Sequence, residues 1–155
     1  LHARSVDSRH HESRNLVKAL HASISRDIPA GHRICGENLY ARHSIAYTDL
    51  PSVFLVFNIW DERNVALDWD TTVAYCEMLG LTTVPVLYRG PWDEAKIRAL
   101  ETTLSDEKNE GYVVRITDSI TYSGWRRHAA KFVRKAHVRT DEHWTRNWVP
   151  NGFRK

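Results

Sequence analysis

The stretch Glu110-Gly111-Tyr112-Val113-Val114-Arg115 decides how the rest of the chain is read. An acidic residue and a glycine open it, and a β-branched and aromatic run follows. That pattern is a strand entered through a glycine turn. A carboxylate at the mouth of a strand can point into a cleft instead of a core. Two other segments are built to face it. The run RICGENLY, residues 33–40, again places a glutamate, Glu37, directly after a glycine. The run AKFVRK, residues 130–135, is a short strand with cations at both ends. Two carboxylates and a cation cluster, each on its own short strand, outline a site for a metal and phosphate groups.

Working outward, the ordered set HARS (2–5), ICGENLY (34–40), VFLVFNIWD (53–61), EGYVVR (110–115) and KFVRK (131–135) resembles the RNA ligase family of covalent nucleotidyltransferases. The superfamily also holds DNA ligases and mRNA capping enzymes. In that family a lysine attacks the α-phosphate of ATP and becomes lysyl-AMP. The AMP passes to an RNA 5′-phosphate, and a 3′-hydroxyl then displaces it. The resemblance implies an α+β fold of mainly antiparallel sheets that form a nucleotide-binding cleft with flanking helices. It implies ATP and Mg²⁺ (or Mn²⁺) as cofactors, and RNA with 5′-phosphate and 3′-hydroxyl ends as partner. It assigns Glu110, Lys131 and Glu37 to catalysis, with Glu110 on the metal. It assigns Phe57, Arg4, Glu37, Lys131 and Arg134 to the nucleotide. Phe57 matches the aromatic that stacks on adenine, and Arg4 an arginine that contacts phosphate or ribose. Lys131 matches the first lysine of the last motif.

The sequence departs from the family at three places. The residue after Phe57 is commonly Asp and here is Asn58. The second lysine of the last motif is Val133, with Arg134 or Lys135 as substitutes. The family's nucleophile stands in a Lys-x-x-Gly motif upstream of the segment that HARS resembles. The chain is therefore expected to be one N-terminally truncated nucleotidyltransferase domain that does not adenylylate itself. Lys18, in mid-helix and without a following x-x-Gly, is a poor substitute.

The 155 residues suffice for one domain with a real core. With 42% hydrophobic and 26% charged residues the composition is ordinarily globular. A net charge of +3 permits a polyanion partner without demanding one. Cys35 and Cys76 lie far apart in apolar runs and read as buried free thiols of a reducing compartment. A cytoplasmic monomer with no membrane partner is expected, since no apolar run nears spanning length. The histidines lack the spacing of a zinc site.

Periodicity fills in the elements. Residues 13–25 read as an amphipathic helix capped by Ser13, with Leu16, Val17, Leu20 and Ile24 on one face. Residues 32–40 and 52–61 read as strands. Strict alternation in the second would set Phe54, Val56, Asn58 and Trp60 on one side and Val53, Leu55, Phe57 and Ile59 on the other. Residues 64–69 read as a return strand. A helix over 70–79, capped by Asp70 and closed by Gly80, follows. A strand over 84–88, a helix over 94–104, a strand over 112–117 and a last strand over 126–135 complete the order. Residues 137–155 read as a short helix and a frayed end. His43, Ser44 and Tyr47 lie in a polar connection able to line the cleft. Read without the resemblance, Phe57 is core packing and Arg4 a solvated charge. A non-catalytic nucleotide- or RNA-binding module on a degenerate ligase fold, and a DNA ligase or capping enzyme, are the alternatives. Asn58, Val133 and the missing lysine motif speak for the first of these. The short C-terminal remainder, with no room for an oligonucleotide-binding barrel, speaks against the second.

Overall fold

The computed structural model describes residues 1, 11–43, 45–103, 109–134 and 148–154. A 3₁₀ turn, Glu12–Arg14, leads into α1, Asn15–Ile24. Strands β1, Arg33–Asn38, β2, Phe54–Trp60, and β3, Val65–Ala66, follow. Helix α2 is Trp69–Met78, β4 is Thr82–Thr83 and α3 is Glu94–Thr103. Then come β5, Gly111–Arg115, β6, Ile120–Thr121, a 3₁₀ turn Tyr122–Gly124, α4, Trp125–His128, and β7, Ala129–Val133. Among the described residues, five strands form one sheet in the order β1-β2-β3-β6, with β4 also on β2; β5 and β7 form a separate pair. All pairings are antiparallel except β2 with β4. The protein is a mixed helix and antiparallel-sheet, α+β structure.

The sheet has two faces, and a bulge sorts them. On β1, Cys35 pairs with Asn58 but Gly36 pairs with Val56, so Phe57 is the extra residue of β2. The phase of β2 changes there. Phe54, Val56 and Ile59 pack together with Ile34, Leu20 and Ile24 of α1 and with Cys76 of α2. Strict alternation is thus corrected: Ile59 joins Val56 because the bulge absorbs one residue. Trp60 belongs to the other face, with Ala66, Ile120, Cys35 and Trp125.

Several local expectations shift for identifiable reasons. The cap of α2 is Asp68, not Asp70. Its carboxylate accepts from the Thr71 amide (2.9 Å) and hydroxyl (2.7 Å), which holds its pKa below the usual carboxylate range. Asp70 instead pairs with Arg89 at 2.6 and 2.8 Å. Ser13 sits buried in the 3₁₀ turn, and the His11 ring accepts its amide (3.3 Å). No strand forms over 84–88. Val84 N–H reaches Val56 O (2.8 Å), but Pro85 has no amide to continue the ladder. Residues 126–128 belong to α4, and the last strand starts at Ala129. Residues 148–154 are not frayed: they bridge Ala41 and Leu50 through Pro150 and Phe153. Both cysteines are free, and burial pushes the Cys76 thiol up to about 11.

Gly36 permits the close packing of β1 on β2. A Cβ there would stand 2.5 Å from both Leu55 O and the Phe54 ring. Gly36→Ala is expected to cost about 1–3 kcal/mol of stability, the usual scale of overpacking. A fall in the urea midpoint with unchanged slope would register it; an unchanged midpoint would refute the packing described.

Candidate functional site

Strand β1 is regular, so Arg33, Cys35 and Glu37 share one face, opposite Trp60, Asn58 and Leu55 of β2. The β5–β7 pair reaches this face through Arg115. Its Nη1 donates to Asn58 Oδ1 and its Nη2 to Leu67 O (3.1 Å). The guanidinium lies 5.7 Å from the centre of the Trp125 ring. Asn58 is only 5% exposed, and its amide oxygen is satisfied by this contact. Burial pulls the Arg115 pKa down and the Asp68 charge opposes that; an arginine remains a cation at neutral pH.

At the opposite end of β5, Glu110 sits in the bend before Gly111. Its carbonyl accepts from Arg134 N–H (3.0 Å), while Arg134 Nε donates to Asn109 O (2.7 Å). A Cβ at Gly111 would stand 2.0 Å from Phe132 O, so the glycine lets β7 close on this end. Tyr47 joins the pieces. Burial raises its hydroxyl pKa most, the Glu110 and Glu37 carboxylates raise it further, and the Arg134 cation lowers it. The charges of Glu37, Glu110 and Arg134, far apart in the chain, all act on the Tyr47 hydroxyl.

The remaining candidates are placed differently. Phe57 is the bulge residue and is 38% exposed. Lys131 is exposed and pairs with Val113; Tyr112 and Phe132, stacked at 5.0 Å, take the other face of that pair. Glu110, in the bend ahead of the strand, lies outside that alternation. Arg4 and Lys135 lie outside the described residues.

Two contributors escaped the sequence reading. Arg115 was read only as the end of a strand. Asn151 carried no local signal at all, yet it is buried and accepts Tyr47 N–H (3.0 Å) while donating to Leu39 O (2.8 Å). Gly152 N–H donates to Tyr47 O (2.8 Å). A literal Lys-x-x-Gly, Lys108 to Gly111, was also passed over. Its glycine opens β5, and Lys108 lies outside the described residues.

The RNA ligase family model matches residues 1–133. The chain belongs to the RNA ligase family. No curated protein and no solved structure gives a match. Family membership supports a ligase-type, nucleotidyl-transferring activity on RNA for this chain.

Two predictions follow from the geometry. Arg115→Met leaves Asn58 Oδ1 buried without its donor and should cost about 1–3 kcal/mol; a thermal melt equal to that of the parent would refute the anchor. Tyr47 should titrate above the ordinary tyrosine range by ring-carbon NMR. Glu37→Gln and Glu110→Gln should each lower that pKa, and Arg134→Gln should raise it. Indifference of Tyr47 to both glutamates would dissolve the cluster.

Proposed function

We propose that this protein is an ATP-dependent RNA ligase whose reacting phosphates sit where Glu37, Glu110 and Arg134 meet Tyr47. The action of two carboxylate charges and one cation on the same Tyr47 hydroxyl, together with family membership, supports the reading. Mg²⁺ takes one or two carboxylates and completes its shell with water and phosphate oxygens. Glu110 and Glu37 fit that sparse share, and they would hold it. The ion, or Mn²⁺ in its place, supplies charge neutralisation and alignment of phosphate oxygens.

The chain's own residues have plain tasks in such a reaction. Arg134, fixed by its bond to Asn109, neutralises non-bridging phosphate oxygen charge. Lys131 of β7, three residues before Arg134, is the second cation the reading assigns to the phosphates. Phe57, set out from the ladder by the bulge, offers a face for adenine; stacking of bases on aromatic platforms is worth about 1–3 kcal/mol. In the sealing step an RNA 3′-hydroxyl oxygen bonds to the 5′-phosphorus of the adenylated strand. The bond from that phosphorus to the AMP phosphate oxygen breaks, AMP leaves, and the hydroxyl proton passes to solvent or a carboxylate. Catalysis here is positioning plus electrostatics.

The sealing step needs no lysine nucleophile and tests the pocket directly. Pre-adenylated RNA and an acceptor with a 3′-hydroxyl, incubated with the chain and Mg²⁺ without ATP, should be joined. Glu110→Ala should slow joining by about 100-fold or more, the scale of losing one preorganised electrostatic group. With α-labelled ATP, the 155 residues should give no covalent band; a band lost on Lys108→Ala would name that lysine as nucleophile. RNA binding that is salt-sensitive but never accompanied by sealing would make the protein a non-catalytic module instead.

A further inference from the structure

Away from Tyr47, the other end of the same sheet face carries an aromatic and basic surface that the reaction above does not use. Tyr122 is 73% exposed. Its ring lies 6.0 Å from that of Trp60, edge-on, and Trp60 lies 5.4 Å from Trp125. The Arg33 guanidinium stands 5.9 Å from the Trp60 ring centre, directly across the β1–β2 register. The backbone holds Tyr122 firmly: its N–H donates to Asn64 O (3.0 Å), and Thr121 pairs with Val65. The 3₁₀ turn that bears Tyr122 runs straight into α4, which exposes Arg126, Arg127 and His128. Among the described residues, Arg33, Arg126 and Arg127 enter no ion pair. At the adjoining turn, Glu62 is already answered by Arg63 (3.7 Å) and His32 (3.8 Å).

An exposed aromatic ring packed edge-on against the buried Trp60 indole, itself beside the half-buried Trp125, is a rigid platform. Arg33 beside Trp60, and Arg126 and Arg127 on the helix that follows, add three cations without ion pairs among the described residues. A protein partner would need acidic groups of its own to answer these cations. A single strand of nucleic acid uses both, stacking a base on the ring and laying phosphates along the cations. We propose that Tyr122, with Arg33, Arg126 and Arg127, holds a single-stranded segment of the RNA substrate away from the end being joined. This rests on the ligase reading for the identity of the substrate.

Fluorescence anisotropy with a labelled, 5′-phosphorylated single-stranded oligoribonucleotide tests the surface without ATP or metal. Tyr122→Ala should weaken binding on the order of tenfold, and Tyr122→Phe should retain it. The pair Arg126→Gln/Arg127→Gln should flatten the dependence of log affinity on log salt by about 1.4, the share of two phosphate contacts on a single strand. Equal binding by parent, Tyr122→Ala and the arginine pair overturns the proposal, as does a parent chain with no salt-dependent RNA binding. A chain that seals pre-adenylated RNA while these variants bind normally keeps the ligase reading and loses the surface. A chain that never seals, yet loses RNA binding on Tyr122→Ala, keeps the surface and loses the ligase reading.

Discussion

The bond between Arg115 and Asn58 is the constraint on which the site depends. A two-stranded β pair is marginal in water by itself, and β5–β7 is such a pair. Arg115 ties it down by reaching Asn58 on β2 and the Leu67 carbonyl beyond β3. The contact is specific because its failure is expensive: a buried amide oxygen without a donor loses its solvation and gains nothing. Aspartate at 58 would add a charge to this buried position. Asparagine accepts the same hydrogen bond without that desolvation cost. The residue that looked like a lost metal ligand thus has a structural occupation. With Arg115 fixed, the strand's length fixes the rest. Glu110 stands five residues upstream, about 17 Å away at the rise of a strand, and so at the opposite end of the pair.

A second constraint closes that far end. The loop carrying Tyr47 leaves β1 beyond Glu37, and no regular element holds it. Residues 148–154 do so instead, through Asn151 to Tyr47, Leu39 and Tyr40 and through Gly152 to Leu50. Trp148 adds a ring contact to Tyr40 at 5.5 Å and a bond to Glu12 (2.9 Å). The backbone of Tyr47 is thereby fixed, and burial, with the Glu110 and Glu37 charges, keeps its hydroxyl protonated beyond the ordinary tyrosine range.

The strands at Glu37, Phe57 and Glu110 were legible because each combines a glycine or an apolar run with β-branched and aromatic residues. The three long helices were legible from periodicity and punctuation, and Gly80 with its φ of +66° does end α2 as its residue type foretold. The bulge at Phe57 was not legible. It arises from pairing with Gly36 across the sheet, and nothing within β2 announces it. Pro85 argues locally against a strand over 84–88, because it has no amide to give to a ladder. Asn151 and Arg115 were hidden for one shared reason: a buried polar contact between residues 104 or 57 positions apart leaves no periodic trace.

The position of the bulge has a further consequence for the working face. One extra residue in an antiparallel pair must reverse the facing of side chains in one strand. Here β2 takes the extra residue and β1 stays regular. Arg33, Cys35 and Glu37 therefore keep one facing along roughly 13 Å of strand. Had β1 carried the bulge, Glu37 would have turned toward α1 and the apolar cluster of Val56 and Ile59. A carboxylate there would be desolvated without a partner, an arrangement proteins avoid by neutralising the group. Gly36 enforces the choice, since its bare Cα is what lets the Phe54 ring and Leu55 carbonyl close against a regular β1. The glycine before the glutamate thus acts at one remove from chemistry: it keeps the strand straight, and the straight strand keeps the cationic and acidic ends of the face in line.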